Sequence, residues 1–216
     1  MIEDFTKKEI DKISYQLLKS SNALDVFPTP VDDIVRHADF IVENKIDLSK
    51  IQPGFLESLK DKSLKTLQSG LSKIKGIFDR TEKLIYIDVS LDKNIGRKNF
   101  VRLHEVGHGV LDWQNEITLA LDNDDTLSED FIDQFESEAN YFASVTLFQH
   151  DRFLAEVEKL QLGLSAVMAL RKKFGASVHS TFRNYVLQSP NRCALLVLTP
   201  IDGAHWNRAL CEKRNL

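Results

Sequence analysis

No segment constrains this chain more than His104-Glu105-Val106-Gly107-His108, because two histidines four residues apart share a target only if the segment is helical. On a helix, residues four apart lie on one face, so both imidazoles reach a single point. The surroundings agree: from about Gly96 to Trp113, Phe100, Val101, Leu103, Val110 and Leu111 recur at helical spacing. Neutral imidazole is a good zinc ligand, and two on one helix are held in place before an ion arrives. Glu105 is rotated away from His104, where it reaches a water on the metal rather than the metal, the position of a general base. With 6 histidines and 32 acidic residues in 216 positions, chance supplies about 0.02 such segments.

An open zinc site needs a third protein ligand. In a metzincin it would be a histidine ten residues after the first, but position 114 is Gln. The next helix offers Phe135-Glu136-Ser137-Glu138-Ala139-Asn140-Tyr141-Phe142-Ala143. Glu136 and Asn140 are four apart on one face, so Glu136 suits the metal and Asn140 suits a supporting role, as in the Glu-x-x-x-Asp pattern of gluzincins. Glu138 is the alternative ligand. Ala139 and Ala143 suit close packing against another helix. So do Gly107 and Gly109, each of which costs a helix about 1 kcal/mol relative to alanine.

Elsewhere the periodicity predicts helices over 4–20, from Pro30 through Ala38 with Thr29 as N-cap, and over 53–74, 129–148, 151–173 and 177–188. Lys75–Phe78 and Leu84–Val89 alternate as two strands of a hairpin, and Cys193–Leu198 reads as a strand ended by Pro200. The acidic stretch 122–130 lacks the glycine and terminal glutamate of a calcium loop, and reads as a solvated connection ending in Ser128 as N-cap. His37, alone on its helix, reads as structural. The fold class that follows is α+β. A mostly helical zincin-like peptidase core, with a small antiparallel sheet before the HExxH helix, is followed by a helix-turn-helix-like helical unit. The expected divisions are 1–150 for the zinc peptidase, 151–190 for the helical unit, and 191–216 for a strand and tail.

A net charge of −4 gives no overall basic field for nucleic acid or an anionic membrane. No run approaches the roughly 20 apolar residues of a membrane span, and the acidic N-terminus does not read as a leader. Cys193 and Cys211 read as free thiols, which places the chain in a reducing cytoplasm.

With these residues in place, the sequence resembles the ImmA/IrrE family of metallo-endopeptidases. The resemblance rests on Leu84–Val89, on Arg97–Leu111 around the two histidines, on Glu136–Ala143 and on Lys173–Arg183, together spanning roughly residues 75–190. It implies a gluzincin-like zinc peptidase that cleaves a helix-turn-helix transcriptional repressor, relieving repression in a mobile element or a stress response. Carried over by motif, the metal ligands fall on His104, His108 and Glu136 and the base on Glu105. The chain departs from many relatives at Asp112, where a histidine is common, and at Leu147-Phe148-Gln149, where they carry Leu-Met-Pro. For peptide hydrolysis an oxyanion donor is also expected. Tyr141, His179 and Tyr185 are the candidates, and the sequence does not choose among them. The 75–89 hairpin offers a strand to which an extended substrate could add.

Two other functions compete. Residues 164–187 read as helix, Gly175, a turn with Ser177, and a second helix bearing Thr181 and Arg183, with Arg171, Lys172 and Lys173 adding positive charge. This arrangement could touch DNA. However, Arg171 stands where a helix-turn-helix carries a small residue, which favours a packing or repressor-docking unit. The other alternative is a toxin–antitoxin-type regulatory partner with a purely structural zinc site. Glu105 argues against it, because a structural site has no use for a base.

Overall fold

The computed structural model describes residues 2–50, 75–114, 129–189 and 193–194. Helices α1 (Asp4–Ser20) and α2 (Val31–His37) lead into strand β1 (Ile41–Ile46), followed by β2 (Gly76–Asp79) and β3 (Leu84–Asp88). Helix α3 (Ile95–Val110) carries both histidines of the motif, and α4 (Glu129–Leu147) carries the acidic candidates. Helices α5 (Asp151–Val157), α6 (Leu164–Phe174) and α7 (Val178–Gln188) complete the described chain. The architecture is mostly helical with one small sheet, an α+β arrangement. No described helix is long and apolar enough to cross a membrane.

The hairpin forms as expected, with Ile77 opposite Tyr86 and Phe78 opposite Ile85 in antiparallel register. The sheet itself is mixed rather than antiparallel, because β1 joins the other edge of β3 in parallel, with Val42 opposite Ile85. A parallel partner arrives from a distant part of the chain, so no tight turn advertises it.

Helix α3 lies between α4 and the sheet, and its glycines show why. A Cβ on Gly107 would stand 3.1 Å from the Phe142 ring and 3.3 Å from the Ala139 backbone, so this glycine sets the close approach of α4. Gly109 faces the other way, where a Cβ would collide with Phe40 and Phe78. Only the first of the two therefore serves the helix–helix contact. Helix α1 is tied to α4 by Ser14–Thr146 at 2.8 Å and by the Tyr141 hydroxyl donating to Asp11 at 3.0 Å. Buried side chains on both sides of residue 150, from Ile10 through Phe142 to Phe174 and Tyr185, belong to one hydrophobic cluster.

Two local expectations are corrected. The helix read over 151–173 is two helices, α5 and α6, separated at 158–163. Leu160, Leu162 and Leu164 are exposed, so no buried face runs through this stretch, and Gly163 takes φ +151°, a backbone that favours glycine. Thr29 does not cap α2. It is buried, and its hydroxyl donates to the Leu147 carbonyl at 2.7 Å, satisfying an end group of α4 instead. The short turn between α6 and α7 has Gly175 left-handed at φ +67° and Ser177 capping α7 through Ser180. Asn99 of α3 donates to the Gly175 carbonyl at 2.9 Å, so this turn packs on the start of α3. The predicted helix over 53–74, the acidic connection with Ser128, and the tail beyond Ala194 lie outside the described residues. Among the described residues Cys193 forms no disulfide, and neither it nor Ala194 is in a strand.

Candidate metal centre

Helix α3 begins at Asn94, whose side chain accepts from the Arg97 N–H, and stops at Leu111, where the backbone leaves helical geometry. Between these ends, His104 and His108 sit one turn apart with their Nε2 atoms 3.1 Å from each other. The close packing of α4 brings in the third group: Glu136 Oε2 is 3.2 Å from His104 Nε2, and Oε1 is 3.3 Å from His108 Nε2. One donor atom from each of the three lies within 4.8 Å of the others, so these residues are positioned to bind a metal ion. Two imidazoles and one carboxylate suit a transition-series ion; calcium and magnesium prefer all-oxygen surroundings.

The two acidic residues at this site are driven in opposite directions. Burial alone would raise the Glu136 carboxyl, but hydrogen bonds and charge from His104 and His108 overcome it and hold the group far below the usual carboxylate range. Glu136 is thus held as an anion. Glu105 is only 6% exposed, and burial pushes it up to about 7. The opposing charge of His104, the like charge of Glu136 and the guanidinium of Arg80 act on it more weakly. Environments that split two carboxyls this way mark one as a fixed anion and the other as a proton carrier near neutral pH. Gly76 of β2 makes room for this carboxyl, because a Cβ there would collide with Glu105 Oε1.

Behind His108 stands a chain of hydrogen bonds. Its Nδ1 lies 2.9 Å from Gln114 Oε1, and Gln114 Nε2 donates to Glu138 at 2.9 Å. Glu138 also accepts from the Trp113 indole and from Gln134, each at 2.8 Å. Glu138, considered from sequence as an alternative ligand, is therefore fully buried behind the site and occupied by three N–H donors. Asn140 is exposed and makes no hydrogen bond to His104, His108 or Glu136 among the described residues. Gln114 and Arg80 escaped the sequence reading. The first lies beyond the helix end, and the second lies in the turn of a distant hairpin.

The three candidate oxyanion donors are dispersed. Tyr141 donates to Asp11 on α1, Tyr185 is buried in the core, and His179 stands exposed on the first turn of α7. No hydrogen bond joins any of them to the His104–His108–Glu136 group among the described residues. His37 is exposed on α2.

A family model of peptidases, Peptidase_M78, described as the IrrE N-terminal-like domain, matches residues 62–181, more than half of the chain. No curated protein and no solved structure matches.

Proposed function

Because the chain belongs to the IrrE N-terminal-like family of metallopeptidases, we propose that it is a zinc-dependent endopeptidase whose substrate is a helix-turn-helix transcriptional repressor. Cleavage would relieve repression in a mobile element or a stress response, within the cytoplasm. The observation that carries the zinc reading is the convergence of His104, His108 and Glu136: the two Nε2 atoms are 3.1 Å apart, and the two oxygens of Glu136 lie 3.2 Å from His104 and 3.3 Å from His108 respectively. Ligands about 2.0–2.1 Å from a zinc ion at tetrahedral angles stand roughly 3.3 Å apart, close to each of these contacts, and three protein ligands leave one position open. The repressor as substrate is supported by the sequence resemblance to the ImmA/IrrE family.

In the proposed reaction, His104, His108 and Glu136 hold the ion, which supplies Lewis acidity toward a scissile carbonyl and toward water. Glu105 takes the proton of the attacking water and passes it to the departing amine. In the metal-free protein burial pushes this carboxyl up to about 7, so its surroundings favour a proton on it more than water does. Among the described residues β2 is an edge strand, and its Gly76 adjoins the Glu105 carboxyl. An extended peptide added along β2 would therefore run past the base.

The reading is tested with the purified chain and a helix-turn-helix repressor encoded beside it, following cleavage by mass spectrometry. Glu105→Gln should bind zinc as the wild type does and leave the repressor intact. If this variant cuts at the wild-type rate, the assignment of the base is wrong. If the wild type binds zinc and cuts a generic peptide but never the repressor, the enzyme class stands and the substrate falls.

A further inference from the structure

Behind the candidate metal centre lies a feature that the reaction does not use: a fully buried carboxyl, Glu138, joined to His108 through the fully buried amide of Gln114. An imidazole can carry its proton on either ring nitrogen, and only the nitrogen without it can bind a metal. The neighbours of Gln114 determine which. Its Nε2 faces Glu138 at 2.9 Å and the Phe135 backbone carbonyl at 3.4 Å. A backbone carbonyl only accepts, and every recorded partner of Glu138 is an N–H donor, so the amide nitrogen belongs on this side. The amide oxygen then faces His108 Nδ1 at 2.9 Å, a contact between two polar atoms that is favourable only when the ring nitrogen carries the proton.

We propose that Gln114 and Glu138 are positioning residues that hold His108 as the Nδ1–H tautomer, aiming its Nε2 lone pair at the ion. Glu138 orients the amide, the amide orients the proton, and the proton leaves Nε2 free. The Trp113 and Gln134 donors keep Glu138 in place, and the departure from helix at Leu111 turns Gln114 back toward α4. Outer partners of this kind set the orientation and basicity of histidine ligands, and losing one lowers metal affinity by about 10–100-fold. This inference rests on the zinc reading of the site. Wild-type zinc binding tests that reading, and the comparisons below test the inference separately.

Two measurements decide it. Nitrogen-15 NMR on the zinc-loaded wild type should place the metal on His108 Nε2 and show a slowly exchanging proton on Nδ1. Metal on Nδ1, or an Nδ1 proton that exchanges as freely as that of an exposed histidine, would overturn the proposal without any variant. Competition with a chromogenic chelator should then show that Gln114→Leu weakens zinc binding by about 10–100-fold. In the same variant the Nδ1 proton should exchange faster while the circular dichroism stays that of the wild type. A folded Gln114→Leu with wild-type zinc affinity would equally overturn it. Should this variant fail to fold, the wild-type spectrum decides alone.

Discussion

Helix α4 takes part in two clusters built from similar groups, and they behave oppositely. At one, Glu136 meets His104 and His108. At the other, on the side facing α1, Tyr141 and Thr146 meet Asp11 and Ser14, and His150 just past the helix lies 3.1 Å from the Ser14 hydroxyl and 3.7 Å from Asp11. A serine, a histidine and an aspartate within reach of one another would suggest a nucleophile. Yet Ser14 is 0% exposed, and its hydroxyl is shared between Thr146 and His150. Each group there has its partner, so the cluster is closed. At Glu136 one metal-ligating atom from each of the three residues lies within 4.8 Å of the others, and the Glu136 side chain keeps 47% of its surface exposed. Without an ion the imidazoles donate to this carboxylate, and a bound cation would take the place of those protons. Residue types alone do not distinguish the two clusters; the convergence of ligating atoms on a half-exposed carboxylate, against a fully buried Ser14, does.

The contrast can be broken first at the open cluster. His108→Ala should remove both zinc and cleavage, whereas Glu105→Gln should keep the zinc and lower kcat by about 100- to 10,000-fold, the range for a lost general base. Ser14→Ala should do neither. A comparable loss of cleavage in a folded Ser14→Ala would show that the α1-side cluster takes part in the chemistry.

A smaller effect concerns pH. Folding raises the Glu105 carboxyl from its ordinary 4.5 to about 7 in the metal-free protein. A group raised on folding contributes stability that is complete below its unfolded value and is lost as pH rises through the folded one. Metal-free protein should therefore lose on the order of 3 kcal/mol between about pH 4.5 and 7 from this group. Glu105→Gln should flatten that part of the curve in urea titrations, at the expense of activity. An unchanged pH profile would mean that the carboxyl is not held neutral by burial. The closed cluster has the opposite sign: burial lowers His150 below 6.5. Its contribution is present above that value and fades as pH falls through the lower, folded one.

The smallest expected effect is that of Tyr141→Phe. With its hydroxyl on Asp11, the change should cost about 1 kcal/mol of stability and leave kcat within about twofold. A hundredfold fall in kcat at unchanged stability would return Tyr141 to the oxyanion role that its position in sequence suggested.

The same contrast shows what was legible in the sequence. Helices α1, α3 and α4 and the β2–β3 hairpin follow from periodicity, because each buries one face and its pattern is local. The pairing of α3 with α4 was readable at Gly107 and Ala139, where small residues have no purpose but close approach. Strand β1 was not readable. Ile41-Val42-Glu43-Asn44-Lys45-Ile46 alternates poorly, and its parallel partner lies some forty residues on, so the two are not the arms of one hairpin. Gln114 was hidden for another reason. Its sequence position fits only the loss of a histidine ligand, whereas its link to His108 depends on the chain leaving the helix at Leu111. The charge of Arg80 acts on Glu105 from the distant β2–β3 turn. The histidine pair could be read within one helix and Glu136 from its own motif on the next, but partners placed by chain turns, such as Gln114 and Arg80, could not.

The most direct test is a metal count. Purified wild-type protein, loaded with zinc and dialysed, should retain one zinc per chain by elemental analysis, and the double variant His104→Ala, His108→Ala should retain none while keeping its helical circular dichroism. A folded double variant that still holds one zinc per chain would place the metal elsewhere and contradict the assignment of this site.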